Sequence, residues 1–310
     1  MPDDHTRSED LAVTPRLKGK QAYGDRSECL PHTPYDELRH PTAIQAPATV
    51  ISFEGTEAAQ GARTIPSEVP VNLVYGGVPF AVMMTTPSDL EDFAVGFSLT
   101  EGVIQEPGDI RGILVEPAEN GLRLAIELKP NRLHEHLARK RALAGRTGCG
   151  VCGIDDLKAL PQARTPEGKA PLIALSAIQS ALLRLDHEQV LNEVTRAVHG
   201  AAWADLDGTI RCVREDVGRH NALDKLIGAV CRAGMGPDSG FVLVTSRCSF
   251  EMVEKAAAFG ARTLVAISAP TALGVERARL HDITLIGIAR RDSLTVFHGV
   301  ERVVYRSGSR

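Results

Sequence analysis

The sequence predicts an α/β fold: a layered sheet with covering helices makes up the larger part, preceded by a smaller α+β unit. Three observations carry that expectation. Between 241 and 289 the apolar runs "FVLVTS", "TLVAISA" and "ITLIGIA" alternate with the helical stretches "SFEMVEKAAAFG" and "PTALGVERARLHD", the pattern of parallel strands joined by right-handed crossovers. Upstream, short apolar runs around "YGG" and around Leu206 to Gly208 read as hairpins. The chain of 310 residues is 43% hydrophobic, enough to bury one large core or two smaller ones.

The elements follow in order. The first forty residues mix charge, proline, glycine and histidine without periodicity and read as a flexible arm. The body begins near "ATVISFEG", and "EVPVNLVYGGVPFAVMMTT" forms the first hairpin. Thr86 is then expected as a helix N-cap, with Pro87 at the first helical position and Asp89 completing a capping box. Leu90, Phe93, Ala94 and Phe97 fall on one face of that helix, ready to pack on a sheet. Short strands return between Arg111 and Leu128, and "NRLHEHLARKRALAG" reads as a basic, solvent-facing helix. "PQARTPEGKAPL" is an exposed loop, and "SAIQSALLRL" carries a serine and glutamine capping signal before a helix. The expected division is a flexible arm (1–40), a smaller α+β domain with part of the core sheet (41–145), a mobile cysteine loop (146–170) and an α/β domain (171–310).

A formal net charge of -4 argues against a surface built mainly to neutralise nucleic-acid phosphates. No apolar run reaches membrane-spanning length, and the N-terminus lacks the basic start and apolar stretch of an export signal. Six cysteines, only two of them close together, do not resemble a secreted disulfide scaffold. The expectation is a cytoplasmic protein with reduced thiols, no nucleic-acid partner and no membrane insertion.

The close pair, Cys149 and Cys152, lies in "GRTGCGVCG". The spacing suits a metal, but structural zinc needs four ligands and the chain has no second such pair. His134 and His136, or a second subunit, would have to complete the set, so no stoichiometric structural metal is expected. A thioredoxin-like dithiol normally opens a helix, whereas Gly148, Gly150 and Gly153 suggest a loop. A plain glycine-rich loop with free thiols and a sulfur carrier both fit. Arg139, Lys140, Arg141 and Arg146 would favour a thiolate if they approach it. Cys212, Cys231 and Cys248 sit singly in strand or helix contexts, as small hydrophobes do.

Ligands of such sheets approach the carboxyl ends of the strands, which here carry "TSRCS", "APT" and "ARRDS". Arg247 and Ser249 in "TSRCSFE" suit an anion at a helix start, unless Ser249 is merely a cap. "REDVGRHNALDKLIG" gathers Arg214, Glu215, Asp216, Arg219, His220 and Asn221 at another helix entrance. Arg219 or His220 would contact phosphate there, against the alternative of capping and surface ion pairs.

From Ile51 to Val304 the blocks "EVPVNLVYGG", "TTPSDLEDFAVGFSLTEGVI", "TGCGVCG", "REDVGRHNALDKLIG", "TSRCSFEMVEKAAAFG" and "SAPTALGVERA" resemble the formate dehydrogenase accessory sulfurtransferase family of the FdhD type. The resemblance implies a homodimer with a fold similar to cytidine deaminases plus a smaller domain. It also implies a sulfurtransferase that takes sulfur as a persulfide from a cysteine desulfurase and passes it to the molybdenum (or tungsten) bis-guanine-dinucleotide cofactor of formate dehydrogenase. Cys149 matches the family's persulfide position and Cys152 the second loop cysteine. Ile288, Ala289, Arg290, Arg291, Asp292 and Ser293 match its cofactor-binding segment. Deaminase chemistry is not implied, because the His/Cys/Cys zinc signature with its glutamate is absent from the sequence. The alternative expectation is a non-catalytic chaperone that binds and inserts the cofactor.

Overall fold

The computed structural model describes residues 29–36, 39–53, 58–141, 162–166 and 168–305. β1 (Ala43–Ile51) and β2 (Ala58–Pro66) form a largely exposed antiparallel ribbon. β3 (Val69–Tyr75) and β4 (Val78–Thr85) make the expected hairpin. Gly76 and Gly77 turn it with φ of 54° and 84°, the left-handed conformation that a two-residue turn between twisted strands requires.

Next come α1 (Leu90–Thr100), β5 (Ile110–Ala118), β6 (Gly121–Leu128) and α2 (Pro130–Arg141). The strands order β4-β3-β6-β5, with β3 and β6 parallel at the centre. β6 shows the period of two that a one-sided sheet needs: Leu122, Leu124, Ile126 and Leu128 are buried, while Arg123 and Glu127 are exposed. Leu90, Phe93, Ala94 and Phe97 of α1 cover that face, as expected.

The helix start differs from the expectation. Asp89, at φ 54°, is the N-cap and makes no side-chain cap hydrogen bond, so α1 begins at Leu90. The groups expected to cap are engaged elsewhere. The Thr86 hydroxyl accepts from the Val217 amide at 3.2 Å, and the Asp89 carboxylate accepts from the Thr33 amide at 2.9 Å and contacts His32 Nδ1 at 2.9 Å.

β7 (Ile173–Ala174), α3 (Leu175–Glu188) and α4 (Val190–Thr195) lead into the hairpin of β8 (His199–Asp205) and β9 (Ile210–Asp216). α3 starts after Ala174 with no side-chain cap, so Ser176 lies inside the first turn. α5 (Arg219–Arg232), β10 (Gly240–Val244), α6 (Phe250–Phe259), β11 (Thr263–Ala266), α7 (Ala272–Leu280), β12 (Thr284–Gly287), β13 (Thr295–His298) and β14 (Val303–Val304) complete the described chain. The large sheet has six strands in the order β13-β12-β11-β10-β8-β9. β10, β11 and β12 are parallel, whereas β8, β9 and β13 join antiparallel, so the sheet is mixed.

α5 and α6 pack on one face of this sheet around Trp203, Val242, Val244 and Leu264, and α3 packs on the other around Phe241, Leu243 and Ile286. The protein is thus a mixed α/β sheet domain joined to a smaller α+β domain. The junction is the crossing of α1 and α5. A Cβ on Gly96 would lie 1.7 Å from the Asp224 carbonyl oxygen, and one on Gly228 1.8 Å from that of Asp92, so the two backbones touch.

Candidate functional site

The three parallel strands end on one edge, and their following loops are tied side by side. The Ile267 amide donates to the Val244 carbonyl at 2.9 Å, Cys248 to Ala269 at 3.3 Å, and Ile288 to Ser268 at 3.2 Å. The first turn of α5 reaches the same edge, because β9 ends at Asp216 opposite His199, and Gly200 pairs with Thr245 after β10. The structure therefore brings "TSRCS", the loop through Ala269 and "ARRDS" together with Arg219 and His220.

Within "REDVGRHN" the polar set divides into two. Arg214, only 3% exposed, binds Asp92 at 2.8 Å and the Leu30 carbonyl at 2.8 Å. Glu215 accepts from the Leu191 and Asn192 amides and so caps α4. Asp216 is fully buried, pairs with Lys225 at 2.7 Å, and accepts from the Thr86 amide and the Asn221 side chain. These groups hold β4 against β9 and α5. They are structural, and neither surface ion pairs nor free anion ligands.

Arg219 and His220 are different. Arg219 Nε and His220 Nε2 are buried without a partner, and so is Ser249 Oγ. Ser249 occupies the N-cap position of α6 but makes no side-chain cap hydrogen bond, so the reading of this residue as merely a cap fails. An unpaired buried polar atom costs about 1–3 kcal/mol, and a ligand accepting or donating there would recover it. Burial, with Lys255 and Arg219 adding, lowers the His220 pKa to about 4, so the imidazole is neutral at neutral pH. Arg247, by contrast, is exposed.

His199 belongs to this edge and was not flagged by sequence. Its pKa is lowered by burial and by Arg219. Counting the β8–β9 register back from the turn at Leu206 to Gly208 would have placed it opposite Glu215; the bulge between Trp203 and Ala204 moves it opposite Asp216.

The segment after β12 turns sharply. Ile288 has φ 51°, a left-handed conformation unusual for a β-branched residue. Ala289 is buried at 2% exposure, and the Arg290 amide donates to the Ser293 carbonyl at 2.8 Å, closing the turn. The Arg290 guanidinium folds back on the Ile267 and Ala289 carbonyls. Arg291 is exposed and pairs with Asp186 of α3 at 2.9 Å, and Ser293 Oγ contacts Asp292 at 3.2 Å. The sequence-predicted residues therefore straddle the edge: Arg219, His220 and Ser249 on the α5–α6 side, and Arg291 on the α3 side.

Cys149 and Cys152 lie outside the described residues, as do Arg146 and the glycines around the pair. His134 is exposed on α2. Among the described residues no group of three or more His, Cys, Asp or Glu side chains is arranged to hold a metal, and no helix is long and apolar enough to cross a membrane. Cys212 and Cys248 are buried in the core of the larger sheet and Cys231 packs against it, as small hydrophobes do, and Cys29 lies beside both Cys212 and Cys231.

The model of the FdhD/NarQ family matches residues 66–304. A sulfur carrier protein FdhD from Bordetella petrii is 43% identical over 87% of this chain and 99% of its own length. Another of that name from Xanthomonas euvesicatoria is 46% identical, covering 82% of this chain and 91% of the relative. A crystal structure from Desulfotalea psychrophila, assigned as a formate dehydrogenase accessory protein, superposes with a TM-score of 0.69 at 25% identity and covers 85% of this chain and 100% of that one. The blocks that carried the resemblance in the sequence lie wholly inside the matched range, and the chain belongs to the FdhD/NarQ family.

Proposed function

We infer that this protein is a sulfur carrier for formate dehydrogenase maturation, and that it acts as a sulfurtransferase. In this reading the Cys149 thiolate attacks the outer sulfur of a cysteine desulfurase persulfide. The new S–S bond forms on Cys149, the desulfurase cysteine leaves as its thiolate, and the proton stays on the transferred sulfur. That sulfur then passes to the molybdenum (or tungsten) bis-guanine-dinucleotide cofactor, the cargo destined for formate dehydrogenase. Cys152 is the second thiol of the same segment. The homodimer, the cytoplasmic setting, a core related to the cytidine deaminases and the division at 40, 145 and 170 belong to the same proposal.

The observation that supports the reading best is the set of unpaired donors Arg219 Nε, His220 Nε2 and Ser249 Oγ at the strand-end edge, beside Ile288 to Ser293 in a family whose named members are sulfur carriers. A dianionic dinucleotide arm needs several donors at once, and an arginine with a helix N-terminus supplies that chemistry. His220, held neutral, adds a hydrogen bond without a second full charge. Arg247, Arg290 and Arg291 complete the proposed cofactor-binding group with Ala289 and Asp292.

The test is intact-mass measurement after incubation with a desulfurase and cysteine. One added sulfur, lost in Cys149→Ala, is expected. No added sulfur with an active desulfurase would favour the non-catalytic chaperone. Replacing Arg290 and Arg291 together should weaken guanine-nucleotide binding by calorimetry while leaving the persulfide on Cys149. The remaining affinity should depend less on salt than that of the wild type.

A further inference from the structure

Cys29, with Cys212 and Cys231 beside it, plays no part in the sulfur transfer just described. Cys212 lies in β9, 4% exposed, and Cys231 in the last turn of α5. Cys29, half-buried, is the first described residue of the segment that precedes the ribbon. Its side chain is within hydrogen-bonding reach of Cys212, and the two sulfurs sense each other electrostatically. All the described cysteines are free thiols.

The segment is fastened by more than this contact. The buried Arg214 guanidinium holds the Leu30 carbonyl at 2.8 Å, Asp89 takes the Thr33 amide at 2.9 Å, and the Tyr35 amide donates to the Pro87 carbonyl at 3.0 Å. Cys29 is therefore presented to Cys212 by fixed backbone on either side: an Arg214-bound carbonyl one residue along, and a β9 strand paired through Trp203↔Cys212. A disulfide tolerates little backbone movement, and here the backbone that carries each thiol is already fastened.

We propose that Cys29 and Cys212 are a redox-active thiol pair that closes to a disulfide with a low-molecular-weight disulfide as oxidant, covalently fastening the segment 29–36 to β9. Cys29 is the accessible member and reacts first. Having lost its proton to water, its sulfur attacks the oxidant RSSR, forming Cys29–S–SR and releasing RS⁻. Cys212 then attacks the Cys29 sulfur, its proton passes to the departing RS⁻, and RSH leaves. Two electrons have moved from the protein thiols to RSSR, giving one protein disulfide and two RSH. Burial raises the Cys212 thiol pKa, with the Cys29 contact adding and Arg214 opposing. Cys212 is consequently the resolving thiol and not the entry point.

The experiment uses the full chain carrying Cys149→Ser and Cys152→Ser, which separates this pair from the loop cysteines and from the sulfur-carrier reading. Oxidised glutathione is added, and the product is read by intact mass and by peptide mapping without reduction. The expected result is loss of two hydrogens with a single cross-linked peptide joining Cys29 to Cys212, reversed by dithiothreitol. Adding Cys29→Ser should abolish the reaction, and adding Cys212→Ala should leave a glutathione adduct trapped on Cys29. A bond from Cys29 to Cys231, an adduct that stops at Cys29 while Cys212 is present, or an unmodified chain under conditions that oxidise a control dithiol overturns the proposal.

Discussion

Two polar regions of this molecule are similarly withdrawn from water and differ in bookkeeping of hydrogen bonds. At the junction of the two domains, Asp92 meets Arg214 and Arg232, Asp216 meets Lys225, and Asp224 meets Lys255, which also reaches Glu101. Every one of these charges has a partner of opposite sign. At the strand-end edge, Arg219 Nε, His220 Nε2 and Ser249 Oγ have none. The same stretch of eight residues, 214–221, feeds both regions. The difference teaches that residue type at a helix entrance says little about role and that partnering says more: the satisfied buried charges hold the fold together, whereas the three unpaired atoms at this edge gather at one place where a ligand could meet them.

The largest effect that tests this contrast is expected at Lys225. Lys225→Met leaves Asp216 fully buried without its cation and should lower unfolding free energy by about 3–5 kcal/mol, read by urea denaturation. Arg219→Ala should leave stability unchanged or raise it, because it removes a buried Nε that has no partner. Equal losses in the two variants would erase the distinction between the regions. Arg219→Ala with Ser249→Ala should instead weaken guanine-nucleotide binding by about tenfold or more, since a hydrogen bond to a charged group is worth about 1.5–3 kcal/mol. Unchanged affinity by calorimetry would remove these donors from the binding site.

Gly228→Ala comes next. The added methyl would overlap the Asp92 carbonyl at 1.8 Å, and overpacking of this kind costs about 1–3 kcal/mol. An unaffected melting temperature would mean that α1 and α5 can separate without penalty.

The smallest effect concerns pH. The folded protein keeps His220 neutral down to about 4, against an ordinary 6.5. The unfolded chain therefore takes up this proton first as pH falls through 6.5, and the contribution to stability drops between there and about 4. His220→Gln should flatten the decline of stability across that window by on the order of 1 kcal/mol. An unaltered slope would mean that the imidazole is solvated.

Much of the larger sheet was legible because its signals are local. The runs that became β10, β11 and β12 are mostly apolar and are buried over four or five successive positions, as strands covered on both faces must be. Both hairpins declared themselves through their turns. What stayed hidden depends on partners far along the chain. Thr86 looks like a cap until Asp216 takes its amide from 130 positions away, and no window around Thr86 contains that information. Arg214 and Arg219 are alike in sequence, and only the packing of Asp92 and Leu30 against the first separates them. The grouping of Cys29 with Cys212 is invisible for the same reason. Arg290 was expected in the cofactor-binding segment through the family resemblance, and nothing local shows that its guanidinium turns back on the strand-end carbonyls.

The glycine crossing of α1 and α5 has a mechanical consequence. Where helices meet through side chains, a layer of rotatable groups absorbs small displacements. Here main chain rests on main chain, with Gly96 over Asp224 and Gly228 over Asp92, and interiors packed this closely transmit strain instead of damping it. α5 carries Arg219 and His220 at its far end, and α1 is bedded in the smaller sheet. The pair is thus a stiff crossing: no side-chain layer between the two helices can take up a displacement of α1 against α5, whose first turn carries Arg219 and His220.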